Sequence, residues 1–315
     1  MRTIHHIEPL YKSFIWAGKK LIDRFDLKTD LDSVGTIYCA IAIPGELDNV
    51  ISETGQPLSE FYTSHQELFD CPEPDFPVRM TITCNEGFQS YQSHPDDEYA
   101  LAHDGVRGKV SGAVALDASD HVGTWLFGHK VADRETFRRC IEAQDWDCLF
   151  DTLEVKDGDF VHTPAGVIHG GWGAGIVSAT FGTNGDVTYR FFDNNRNDPA
   201  RPLNIDAVCD CASFPELDLC AERVEPVSDG GAWRYDYHDV DGEYVAKRYQ
   251  VSGEAAVSYD GFLIVTCVAG EGAIDDVAVA PGETLLIPAG YGTFSLHGEL
   301  DLIAISYHSV RGAHA

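Results

Sequence analysis

Positive charge is what this sequence has least of. It carries 22 Lys and Arg against 51 Asp and Glu, a net charge of −29 over 315 residues. Nucleic-acid binding needs a basic footprint that displaces counterions, and an anionic bilayer repels so acidic a chain, so neither is an expected partner. Acidity at this level favours solubility, and an anionic ligand would need a local patch of Lys and Arg. Long apolar runs are missing too. No stretch approaches the roughly 20 residues of a membrane span, and residues 1–10 lack the apolar core of a secretory signal. Cysteine is present without pattern: nine are scattered, Cys209 and Cys211 stand too close for a Cys-x-x-Cys hook, and Cys220 has no matching pair. Reduced thiols in a cytoplasmic protein are expected.

What is present points to β structure. Hydrophobic residues make up 44% of the chain, enough for a packed core, and 30 glycines punctuate short apolar runs. Two segments match each other, Gly158-Asp159-Phe160-Val161-His162-Thr163-Pro164-Ala165-Gly166 and Gly282-Glu283-Thr284-Leu285-Leu286-Ile287-Pro288-Ala289-Gly290. Each reads as a Gly-acid turn, a short strand and a Pro-Ala-Gly turn, so the chain should hold two barrels of one kind. The first copy is followed by His169, whereas Thr293 stands at the same place after the second. One barrel is expected to carry chemistry and the other to support it.

The rest of the chain reads as strands with a few helices. Residues 1–30 read as an irregular or short helical lead-in, 34–44 as a β run, and 54–72 as holding a helix. Val78 to Cys84 and Phe88 to Ser93 read as one strand pair. Val110 to Leu116 and His121 to Phe127 read as another, joined by an Asp-Ala-Ser-Asp turn. In 133–153 the period switches: Phe137, Cys140 and Ile141 recur at helical spacing behind an Asp133 cap, a helical insertion. Strands return at 159–163, 174–181 and 187–193. Residues 194–232 read as a linker with little regular structure, except around Leu217. The expected division is 1–232 and 233–315.

Three stretches carry candidate chemistry. Gln92 and His94 are two apart, so on a strand they share a face, and His169 can meet them from another strand. Imidazoles with an amide oxygen suit Zn²⁺, or less selectively Mn²⁺, Fe²⁺ or Co²⁺. Asp96, Asp97 and Glu98 after Pro95 read as a helix start. His129 reads as a turn residue, and His162 is a weaker ligand candidate whose facing is open. Asp186, Thr188 and Arg190 share a face by alternation. There Asp186 and Arg190 either pair structurally or serve a sugar in a barrel mouth, with Arg196 and Lys109 adding positive charge.

Together these residues resemble the type I phosphomannose isomerase family, in its short bacterial form with two cupin barrels. Gln92-Ser93-His94-Pro95-Asp96-Asp97-Glu98-Tyr99-Ala100 is similar to the family's QVHPDDEYA, and Pro164-Ala165-Gly166-Val167-Ile168-His169 to its PSGTIHA. Asp186-Val187-Thr188-Tyr189-Arg190-Phe191-Phe192-Asp193 is similar to DTTYRVYD, and Gly282 to Gly290 to GESLLIPAG. The resemblance implies a mainly β fold of two cupin-type jelly-roll barrels, with only the N-terminal one holding metal. It further implies a zinc-dependent aldose–ketose isomerase interconverting mannose 6-phosphate and fructose 6-phosphate. Gln92, His94 and His169 take three of the four zinc-ligand places. At the fourth, where the family has the Glu of GKTE, this chain has Ser111, leaving the place to a water or to His162. Thr81 replaces a family lysine, and both acids of IGExWEIS are lost between Val34 and Ile41. The implied catalytic residues are Arg190, Lys109 and Asp186, with Arg196 and Lys109 on the phosphate. The alternative is a non-catalytic or altered-substrate sugar-binding cupin.

Overall fold

The computed structural model describes residues 3–117, 123–172 and 175–310. Two β-barrels of the cupin type make up the fold. In the first, a seven-stranded sheet faces a five-stranded one. The seven-stranded order is Ala221–Arg223, Asp159–Thr163, Ser111–Asp117, Val177–Thr183, Val78–Cys84, Thr36–Ala40, Leu10–Lys12. The five-stranded order is Phe150–Val155, Gly123–His129, His169–Trp172, Phe88–Ser93, Tyr189–Phe192. The second barrel rests on one ten-stranded sheet, dominated by Val245–Tyr259, Leu263–Ile274 and Gly292–Ser306.

The matched segments do form matching units. Their strands are Asp159–Thr163 and Thr284–Ile287, and the flanking Gly158, Gly166, Gly282 and Gly290 all have positive φ, which glycine tolerates without steric cost. The sheets do not follow the 232/233 division strictly. His5–Glu8 pairs with Thr284–Ile287, and Val50–Ile51 and Gln56–Pro57 extend the same C-terminal sheet.

Alternation explains where the cavity and the cores lie. Along Thr36–Ala40, Val78–Cys84 and Val177–Thr183, one face carries Ile37, Cys39, Met80, Ile82, Ala179 and Phe181. These pack outward against Tyr244, Phe262, Ile303 and Ile305, forming one apolar seam between the barrels. Each large apolar side chain fully buried there is worth about 1.5–3 kcal/mol. The other face points into the first barrel and is polar: Thr36, Arg79, Thr81, Ser178 and Thr180. The second barrel's interior is instead filled by Val251, Val257, Val265, Leu285, Leu296 and Leu302.

Several sequence expectations are corrected. The lead-in holds two strands, His5–Glu8 and Leu10–Lys12, and a helix, Lys20–Phe25. Val78–Cys84 and Phe88–Ser93 form with those bounds but belong to opposite sheets, as do Ser111–Asp117 and Gly123–His129. Period-two alternation fits a step across the sandwich as well as a hairpin, so it could not choose between them. The Asp-Ala-Ser-Asp turn extends outside the described residues. The insertion divides into Arg134–Ala143, capped by Asp133 through the Thr136 N–H (2.8 Å), and Trp146–Leu149. In the linker, regular structure lies in the helix Ile205–Cys211 and the strands Ala221–Arg223 and Val227–Asp229 rather than around Leu217. His129 is no turn residue: it ends a strand, 3% exposed, with Nε2 3.0 Å from the Ser213 carbonyl.

Candidate active site

The first barrel encloses a cavity of about 510 Å³. Strand pairing brings the ligand candidates to it: Gln92 lies directly opposite His169 on one neighbouring strand and Arg190 on the other. His94 follows the same strand and is 3% exposed. Asp96 then caps the helix Asp97–His103 by accepting from the Tyr99 N–H at 2.8 Å, so the three acids start a helix as expected and are not ligands.

The two histidines are held alike. His94 Nδ1 donates to the Val187 carbonyl at 2.8 Å, and His169 Nδ1 to the Val167 carbonyl at 3.0 Å. These bonds fix the tautomer and leave both Nε2 atoms as lone-pair donors, the outer support that metal-ligating imidazoles need. Their ring centroids are 5.1 Å apart. Two imidazoles on one tetrahedral Zn²⁺, with Zn–N of about 2.1 Å, hold their centroids roughly 5 Å apart. Burial, then Lys109 and His169, keep His94 well below the usual 6.5. Burial pushes His169 down to about 4, so both rings are neutral near pH 7. Gln92, His94 and His169 therefore fit a zinc ion as three neutral ligands with an open position.

The surroundings are unusual for a cation site. Ser111, the residue expected from the sequence in place of an anionic ligand, is 6% exposed and lines the same cavity. His162 cannot replace it. The cavity-lining pair Ser111–Thr163 is followed by the pair Gly112–His162, so His162 points to the seam, with Nδ1 3.2 Å from the Tyr244 hydroxyl. Lys109 Nζ lies 3.0 Å from His94 Nε2. Burial and Arg79, opposed by Asp186, lower the Lys109 pKa to about 7.

Asp186 pairs with Arg79, not Arg190: Arg79 Nη1 is 2.6 Å from its Oδ1 and 2.7 Å from the Gly185 carbonyl. Arg79 is 5% exposed and also stands over the Tyr38 ring. Burial opposes its charge, yet Asp186 and Tyr38 outweigh it and raise its pKa. The expectation that Asp186 and Arg190 share a strand fails because the strand begins at Tyr189. Both still line the cavity. The Arg190 guanidinium has no hydrogen-bond partner among the described residues, and burial and nearby Arg201 lower its pKa. Arg196 donates to the Phe88 carbonyl at 2.7 Å and lines the cavity too. Arg79 and Arg201 were missed from the sequence. A lone Arg in the apolar run Val78–Cys84 was a usable signal, whereas Arg201 in its polar loop gave none.

Comparison with known proteins now decides the family. Residues 243–307 match the model for the mannose-6-phosphate isomerase cupin domain. The mannose-6-phosphate isomerase ManA of Bacillus subtilis is 30% identical over 313 residues, covering 94% of this chain and 96% of that one. The chain belongs to the mannose-6-phosphate isomerase family. A family member from Streptococcus mutans is 28% identical over 308 residues, covering 92% of this chain and 94% of its own. In fold, the chain matches the Bacillus subtilis mannose 6-phosphate isomerase crystal structure with a TM-score of 0.88 at 24% identity, over 96% of this chain and 99% of that one. A zinc-bound mannose 6-phosphate isomerase matches with a TM-score of 0.75 at 13% identity, over 97% and 99%.

Proposed function

We propose that the first barrel is catalytic and that the protein is a metal-dependent aldose–ketose isomerase interconverting mannose 6-phosphate and fructose 6-phosphate, in the cytoplasm. The observation that carries this is the charge of the cavity. In a chain of net charge −29, Arg79, Lys109, Arg190, Arg196 and Arg201 line it, and Asp186 is the one carboxylate among the described lining residues. That inverts the molecule's overall field and suits an anionic sugar. The family membership and the Bacillus subtilis relative's name support the same substrate.

Gln92, His94 and His169 would hold zinc, with Ser111 offering only a neutral hydroxyl or a water, so the ion would bind more weakly than with a carboxylate. When bound, the ion supplies Lewis acidity toward the sugar oxygens. Lys109 must leave His94 Nε2 for that nitrogen to serve as a ligand, and its amine would then be free to approach the sugar's reacting carbons. In the metal-free fold its pKa is lowered to about 7 by burial, and an amine so lowered is suited to take the proton from C2 and return it to C1 across an enediolate while the hydroxyl proton passes from O2 to O1. Arg190 donates to the developing oxyanion, while Arg196 and Arg201 receive the phosphate. Asp186 holds Arg79 and tunes Lys109 through that pair.

Conversion of mannose 6-phosphate, followed with added divalent metals, tests this reading; a wild-type protein inert with every metal refutes the substrate. The sugar-binding alternative is favoured by Ser111 and by the Lys109–His94 contact. Purified protein that carries little metal and gains nothing from added zinc would point to it.

A further inference from the structure

Behind the cavity, on the opposite face of the strand Asp159–Thr163, the two barrels meet at a second cluster of donor groups. His162 comes from the first barrel. Its ring stacks on His238 with centroids 4.6 Å apart and an interplanar angle of 18°. His238 comes from Ala232–Asp239 in the second barrel's sheet and stacks in turn on Tyr244 at 4.2 Å. Its Nε2 lies 2.8 Å from Glu243 Oε2. The ligating atoms of His162, His238 and Glu243 all lie within 4.8 Å of one another.

Packing accounts for only part of this arrangement. The Glu243 contact uses one nitrogen of His238, and Tyr244 uses one nitrogen of His162. His162 Nε2 and His238 Nδ1 have no partner among the described residues. The His238 side chain is 11% exposed and that of Glu243 32%, sheltered enough to hold an ion and open enough to admit one. Glu243 stays ionised, its pKa lowered by the His238 hydrogen bond, while burial and then His238 lower His162 and keep that ring neutral.

We propose that His162, His238 and Glu243 form a second divalent-cation site that clamps the two barrels at their seam. Two imidazoles and one carboxylate are a zinc-class set, better served by Zn²⁺, Co²⁺ or Ni²⁺ than by Mg²⁺ or Ca²⁺. This set includes the anionic oxygen that the cavity set lacks, and no Lys or Arg touches it among the described contacts. Closing the donors to the roughly 3.4 Å edge of a tetrahedral site takes a turn of the His162 ring and exchange of the His238–Glu243 hydrogen bond for two metal bonds. The fourth position is left to water. The clamp is independent of the isomerase reading, since it uses none of the cavity donors.

The test is Zn²⁺ uptake by the metal-stripped full-length chain, by equilibrium dialysis and by the shift in unfolding temperature. A His94→Ala/His169→Ala protein, stripped of its cavity imidazoles, is expected to bind one Zn²⁺ per chain and to unfold at higher temperature with it. Adding Glu243→Gln should weaken that binding at least about tenfold, and His238→Ala should abolish it. No uptake by the double variant, or uptake insensitive to both changes, overturns the proposal. If the double variant does not fold, His238→Ala alone decides: it should lower the wild-type zinc count by one, and an unchanged count overturns the clamp.

Discussion

The two barrels share a turn framework and differ in what they put inside it. After Gly166 the first barrel places His169 into a polar cavity; after Gly290 the second places Thr293, bonded to the Ser258 hydroxyl at 2.6 Å. The first lines its interior with Arg79, Thr81, Ser178 and Thr180, and the second fills its own with Val265, Leu285 and Leu302. In the first barrel the apolar face of the large sheet turns outward to the seam, which frees the inner face for chemistry. A scaffold of this kind can thus be duplicated, one copy hollowed for a ligand and the other kept solid to receive its partner's apolar back.

Substitutions in each barrel can break that contrast. The largest effect is expected from Arg190→Ala, which should lower kcat/KM for mannose 6-phosphate by about 10²–10³-fold with folding intact, the usual scale for losing a positioned donor. Full retention of activity would take the chemistry out of this cavity. Leu302→Ala in the filled barrel, at a side chain 1% exposed, should cost about 2–5 kcal/mol of stability in chemical denaturation while leaving kcat near wild type. A large fall in kcat per folded molecule would contradict the support role.

Ser111→Glu sharpens the comparison by restoring an anionic oxygen beside the three neutral donors. Zinc affinity, measured by competition with a chelator, should rise at least about tenfold; a decrease would mean that position 111 does not face the ligands. The smallest effect concerns pH. In metal-free protein the His169 pKa is about 4 in the fold against 6.5 as the ordinary value, so the unfolded chain binds more protons between them. Stability should therefore fall as pH drops from about 6.5 toward about 4, by at most roughly 3 kcal/mol from this group, and this term should be flat above that window. Unfolding midpoints that rise on acidification would contradict it.

Much of this contrast was legible in the chain. Gly158, Gly166, Gly282 and Gly290 announced the paired turns because only glycine sits easily at positive φ. Gln92 lies on a strand as expected, while His94 lines the same cavity from just past that strand's end at Ser93, and the Asp133 cap and helical spacing located the insertion. Other features depend on partners far away in sequence. Arg79 draws Asp186 from 107 positions downstream, and no local pattern records that. Alternation also could not say which neighbour a strand joins, so consecutive strands on opposite sheets read as hairpins. The facing of His162 needed the register with Gly112.

The strand His5–Glu8 lies between Thr284–Ile287 and Val50–Ile51, nearly 280 residues from the first of these neighbours. During synthesis this early segment must wait for almost the whole chain before its larger contact can form, a long-range closure that slows folding. A fragment ending at 232 would leave the His5–Glu8 edge facing Thr284–Ile287 open to chance pairing with other chains.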